Sequence, residues 1–219
     1  MESNFCWFLN DTRSCANPVT NKTNRIFKKL KIHLKVNKNL EINLSVNTFA
    51  HIKPIARYHK VAYYSVCINE NTTSSFEDFI NYHSQHNRKK LNHVLEWIKI
   101  IGDKYGAKHH LFRPEAAIAD ASALPPKGKD REPSYTELGK TTANNIRLYC
   151  LRANENVVFL FNGDIKTKHY AQDCPNVKEH FIVANKLTKA IDLAFVEKDI
   201  VWNDDFTLIN YSSDFKLYF

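Results

Sequence analysis

Two short stretches of this chain carry side chains that can bind an anion and move a proton. In Arg147-Leu148-Tyr149-Cys150-Leu151-Arg152, two guanidinium groups flank a phenol, and in Lys166-Thr167-Lys168-His169-Tyr170, two ammonium groups precede an imidazole and a second phenol. Arg and Lys give charge-assisted hydrogen bonds to phosphate oxygens, and imidazole takes up and releases a proton near neutral pH. A third basic group, Lys127, Lys129 and Arg131, follows Pro125-Pro126. Cleavage of RNA by its own 2′-hydroxyl asks for such a set. The hydroxyl must lose a proton, the crowded phosphate must have its added charge neutralised, and the leaving oxygen must gain a proton. Neither a metal nor another cofactor is required for that chemistry.

Spacing limits what these residues can share. Alternate residues of a strand face the same way, so Arg147 and Tyr149 share a face and Arg152 takes the other unless the turn redirects it. Lys166 and Lys168 likewise share a face. Each residue also has a plainer role: solvated Lys and Arg protect strand ends, Tyr149 within an apolar run suits a core, and His83, His86, His109 and His110 suit a surface or a helix cap. His169, Cys174 and His180 lack the CxxC or HxxxH spacing of a zinc site, so no metal is expected. The chain shows no Gly-rich phosphate loop, no dinucleotide fingerprint and no supported Ser-His-Asp set.

The elements that must hold these residues are those of a globular chain. Its 219 residues contain 31 Lys and Arg against 23 Asp and Glu, a net charge of +8 that suits a polyanionic partner, nucleic acid or an acidic protein. The 43% hydrophobic content rules against wholesale disorder. No stretch approaches the roughly 18 apolar residues of a membrane span. The opening residues show no basic segment followed by an apolar run, so a cytoplasmic location is expected. Five cysteines without regular spacing argue against a disulfide framework, and Cys67 and Cys150 sit in apolar runs as buried thiols would.

Residues 1–24 read as a polar arm. Leu30, Ile32, Leu34 and Val36, then Leu40, Ile42, Leu44 and Val46, alternate with polar residues around Asn37-Lys38-Asn39, which predicts a β-hairpin. Residues 47–60 read as a connector broken at Pro54, and 61–68 as a buried strand. Ser74-x-x-Glu77 is a capping box opening a helix to about His86, and a second helix stops at Gly102. A strand is expected over 109–114, a long mobile loop over 120–144, and a hairpin from 146–151 and 157–161, with a turn at Asn162-Gly163-Asp164. An amphipathic helix from Asn176 carries Val177, Phe181, Ala184, Leu187, Ile191 and Phe195 on one stripe. The tail, 200–219, suits an edge strand.

The strand, helix pair, Arg147–Arg152 hairpin, apolar second strand and basic exit Lys166-Thr167-Lys168 resemble, in that order, the RelE/HigB superfamily of toxins from type II toxin–antitoxin pairs. The resemblance covers about residues 61–196. It implies an α+β fold, a RelE-like antiparallel sheet with a helix pair packed on one face. Residues 1–60 would form an arm and an N-terminal β-hairpin extension or annex, and residues 61–219 the toxin domain. It also implies an endoribonuclease cutting mRNA at the ribosome by metal-independent acid–base chemistry, with RNA and a cognate, helix-turn-helix antitoxin as partners. On that reading Arg147, Lys166 and Lys168 contact the scissile phosphate and His169 or Tyr170 moves the proton. Arg152, Lys127, Lys129 and Arg131 add RNA contacts. Two alternatives on the same fold are a catalytically silent interaction module and a ParE-like gyrase inhibitor.

Overall fold

Near-continuous apolar strands need cover on both faces, and the fold provides it. The computed structural model describes residues 48–115 and 120–219, so the hairpin expected over 30–46 lies outside the described residues. In chain order the elements begin with β1 (Phe49–Arg57), β2 (Ala62–Ile68), α1 (Ser75–His86) and α2 (Arg88–Ile100). Next come β3 (Arg113–Pro114), β4 (Ser122–Leu124), a small hairpin of β5 (Thr136–Glu137) and β6 (Lys140–Thr141), β7 (Ile146–Arg152) and β8 (Val157–Ile165). Helix α3 (Pro175–Glu197), β9 (Ile200–Trp202), β10 (Ile209–Tyr211) and β11 (Leu217–Tyr218) complete the chain.

Seven strands form one sheet in the order β11-β1-β2-β8-β7-β4-β3, while β9 and β10 make a separate ribbon. The sheet is mixed rather than antiparallel. Strand β2 runs parallel to β8, Ala62 beside Val157 and Tyr64 beside Phe159, and the other neighbours are antiparallel. From β2 the chain runs through the helix pair α1 and α2 to β3 at the far edge of the sheet and returns through β4 and β7 to β8, and this long path supplies the crossover that a parallel pair requires.

Alternate residues of each central strand feed two cores. On one face Val61, Tyr63, Leu148, Cys150, Val158 and Leu160 pack with Phe79 of α1 and with Leu91, Val94 and Trp97 of α2. On the other face Tyr64, Tyr149, Leu151, Phe159 and Phe161 pack with Val177, Phe181, Ala184, Leu187 and Ile191 of α3. The helix pair does lie on one face, and α3 makes a third layer. Full burial of each large apolar side chain contributes about 1.5–3 kcal/mol, so both faces matter to stability.

Several local expectations change. Residues 49–57 form a strand paired with β2, ahead of the boundary expected near residue 60, and Pro54 is accommodated by a register shift between Pro54 and Ala56. Strand 109–114 reduces to a 3₁₀ turn, His109–Leu111, and the two-residue β3. The stretch 120–144, expected to be a mobile loop, carries β4, which joins β3 to β7. Asn162-Gly163-Asp164 is not a turn but the end of β8. The second helix passes Gly102 through a wider turn, Ile101–Tyr105, and stops at Gly106, whose φ of 74° suits glycine. The capping box is present: Ser74 accepts from the Glu77 amide and Glu77 accepts from the Ser74 amide. Strand β11 adds the expected edge, paired with β1. Among the described residues, no helix is long and apolar enough to cross a membrane.

Candidate functional site

Four charged side chains, from β3 and the residue after it, from the start of β7 and from the residue after β8, meet around Glu115. Arg147 is the second residue of β7 and Glu115 immediately follows β3; β4 between them pairs Ala123 with both Arg113 and Tyr149. Lys166 follows β8, and its amide donates to the Asn145 carbonyl at 2.8 Å, which anchors it at the start of β7.

Arg147 donates from Nε to Glu115 Oε1 at 2.7 Å, and the Nε of Arg113 stands 3.3 Å from the same oxygen. Lys166 Nζ donates to Glu115 Oε2. The remaining reach of Arg147 is fixed by donation from one terminal nitrogen to the carbonyls of Asn144 and Ile146, at 3.0 and 2.8 Å. Side-chain exposure is 1% for Glu115, 9% for Arg147, 10% for Lys166 and 16% for Arg113. One carboxylate therefore serves three cations, which leaves a local excess of positive charge in a poorly hydrated place. The Arg113 guanidinium registers this: burial, and then the like charge of Arg147, bring it down to about 10 against the pull of Glu115.

Two unusual groups border the cluster. The Tyr149 hydroxyl is fully buried and has no hydrogen-bond partner among the described residues. Burial first, and then the Glu115 carboxylate, push its phenol up, while Arg147 and Arg113 act the other way. Cys174 stands immediately before the first residue of the 23-residue α3. Its Sγ accepts from the Thr167 amide at 3.3 Å and lies 3.5 Å from the Thr167 hydroxyl. Burial alone would raise this thiol, but the Thr167 hydroxyl and amide, with the Lys168 and Val177 amides, outweigh it and bring it down to about 7.

Next to Arg147 in the ladder stands Asp164. Its carboxylate is 3.8 Å from Nε2 of His83, a fully buried residue of α1 and so not the surface or cap histidine expected. Asn87 Nδ2 donates to His83 Nδ1 at 3.0 Å, which leaves Nε2 to donate to the Gly163 carbonyl at 3.4 Å. Burial lowers both His83 and the half-buried His180 of α3, and Asp164 opposes the shift at each.

The sequence-selected residues divide among separate places. Arg147 and Lys166 come together, but as buried partners of Glu115 rather than as exposed cations. Lys168, His169 and Tyr170 are exposed beyond them, with the two rings 4.6 Å apart. Arg152 lies at the opposite end of β7 and donates to the Ala107 carbonyl at 3.3 Å. Lys127, Lys129 and Arg131 are exposed, Arg131 donating to the His110 carbonyl at 3.0 Å. Sequence reasoning missed Arg113, Glu115 and Asp164. Arg113 and Glu115 become neighbours of Arg147 only through β4, which was hidden in a stretch rich in turn residues. Among the described residues, no three His, Cys, Asp or Glu side chains converge as a metal site.

Comparison with protein-family models, curated proteins and solved structures gives no match.

Proposed function

We propose that this chain is an endoribonuclease toxin of RelE-like type, cutting RNA at the cluster around Glu115 and held in check by a cognate antitoxin. The observation that carries this reading is the charge count at the site: three cations converge on one carboxylate. An arriving phosphodiester takes up the uncompensated charge. Arg113, Arg147 and Lys166 turn toward its non-bridging oxygens and release Glu115, which is then free to accept the proton of the 2′-hydroxyl. The half-buried His180, or the exposed His169, supplies a proton to the leaving oxygen. The net charge of +8 and the exposed Lys127, Lys129 and Arg131 favour a polyanionic substrate at longer range. The helix pair between two sheet strands and the basic exit from β8 support the RelE-like assignment.

The near-complete burial of Glu115 and Arg147 favours a second reading, in which the ion cluster only clasps three strand ends and the chain is an interaction module. RNA cleavage by the purified chain separates the two. The nuclease reading expects metal-independent cleavage that leaves a 2′,3′-cyclic phosphate and falls on the order of 10²-fold or more in Lys166→Gln and Arg113→Gln. An intact, folded protein that leaves RNA uncut and arrests no growth on expression would favour the module.

A further inference from the structure

Two buried side-chain polar atoms lack a hydrogen-bond partner among the described residues, Tyr149 Oη and Thr188 Oγ1. They are not equivalent. A helical threonine reaches the carbonyl one turn back by a small side-chain rotation, whereas Tyr149 is a rigid ring in the middle of β7, packed 5.6 Å from the Phe181 ring. The other fully buried tyrosine of the central strands, Tyr63, does what is expected and donates to the Ile98 carbonyl at 2.8 Å. A native interior rarely leaves such a donor unused, because desolvating it is costly.

We infer that the Tyr149 hydroxyl is a ligand-binding group, donating to an oxygen of a phosphate held by Arg113, Arg147 and Lys166. The inference deepens the phosphodiester reading of this site and rests on it for the substrate class. Tyr149 shares its sheet face with Arg147 and, across β4, stands level with Arg113, and its phenol is close enough to feel the charges of Glu115, Arg147 and Arg113. The phenol keeps its proton at any physiological pH, since burial and the Glu115 carboxylate both oppose its ionisation. It is therefore a neutral donor beside charged ones. It adds a directed hydrogen bond to an oxyanion without adding to the positive excess, and the bond strengthens as charge develops on that oxygen.

The test uses the full chain, wild type against Tyr149→Phe and Tyr149→Leu, in chloride buffers of matched ionic strength. Thermal unfolding is followed with increasing inorganic phosphate, and cleavage of a single-stranded RNA oligonucleotide is measured in parallel. Without phosphate, Tyr149→Phe should melt at or near the wild-type temperature, because it removes only an unpaired buried hydroxyl, whereas Tyr149→Leu should melt lower because it also empties part of the core beside Phe181. With phosphate, the wild type should gain stability and the variants should bind about 10-fold more weakly, with RNA cleavage reduced on the order of 10²-fold. Equal phosphate affinity in wild type and variants, or no stabilisation of the wild type by phosphate, overturns the inference. Wild-type protein that binds phosphate through Tyr149 but cuts no RNA leaves the inference standing and removes the nuclease reading.

Discussion

Arg147 Nε and Glu115 Oε1 lie 2.7 Å apart with both side chains buried, and this one contact ties the second residue of β7 to the residue that follows β3. The two strands are not adjacent. Strand β4 lies between them, so the ion pair spans three strands of the sheet. A buried pair of this kind is costly to break, because whichever partner remains is left charged and desolvated.

Arg147→Ala should therefore cost about 3–5 kcal/mol of unfolding free energy. An expectation built on an exposed Arg147 would instead place the loss below about 0.5 kcal/mol. Urea unfolding measures it, and a change within that smaller margin would show the contact to be energetically idle. Glu115→Gln should lose stability as well, since it leaves three cations facing one another.

Gly163 is the second position where the site is exacting. A Cβ added there would sit 1.8 Å from the Arg147 carbonyl oxygen, far inside any permitted contact and against backbone. Gly163→Ala must push β7 and β8 apart beside Arg147 and should cost about 2–3 kcal/mol. A thermal melt unchanged from wild type would contradict the close approach of these strands.

The thiol of Cys174 gives a pH signature. Its folded pKa, about 7, lies below the ordinary thiol value of 9.0 that the unfolded chain would show, so the folded state favours the thiolate. That contribution is fully present above pH about 9 and is lost as pH falls through about 7. Urea midpoints for wild type minus those for Cys174→Ala should therefore grow from pH about 6 to pH about 9. A difference that is flat across this window would mean that the Thr167 and Lys168 donors do not hold a thiolate.

The exposed basic loop should act on RNA without acting on the fold. Replacing Lys127, Lys129 and Arg131 together by Gln should change stability by less than about 0.5 kcal/mol. The slope of log affinity against log salt for single-stranded RNA should shrink by about 2, since each phosphate that a cation no longer neutralises removes about 0.7. Filter binding over a salt series reads this directly, and an unaltered slope would take the loop out of the interface.

The sequence by itself determined the local elements whose signals are local. Short runs of β-branched, aromatic and other apolar residues marked β2, β7 and β8, the Ser74–Glu77 box set the start of α1, and the stripe from Val177 to Ile191 made α3 amphipathic. It also brought forward Arg147 and Lys166, because cations beside an apolar hairpin stand out by type. Tertiary structure alone decided that these two share a partner. Glu115 lies 32 positions before Arg147 and 51 before Lys166. They meet because the short strand β4 inserts between β3 and β7, and three residues among prolines and glycines have too little periodicity to announce a strand. Burial was equally hidden: whether a strand-end arginine is solvated or desolvated depends on what the rest of the sheet lays over it. The unused hydroxyl of Tyr149 is the extreme case, since a tyrosine in an apolar strand reads the same whether its oxygen finds a partner, as Tyr63 does, or lacks one. Hydrogen-bond satisfaction is a property of three-dimensional neighbours, and only the packed sheet and its two helical layers fix those.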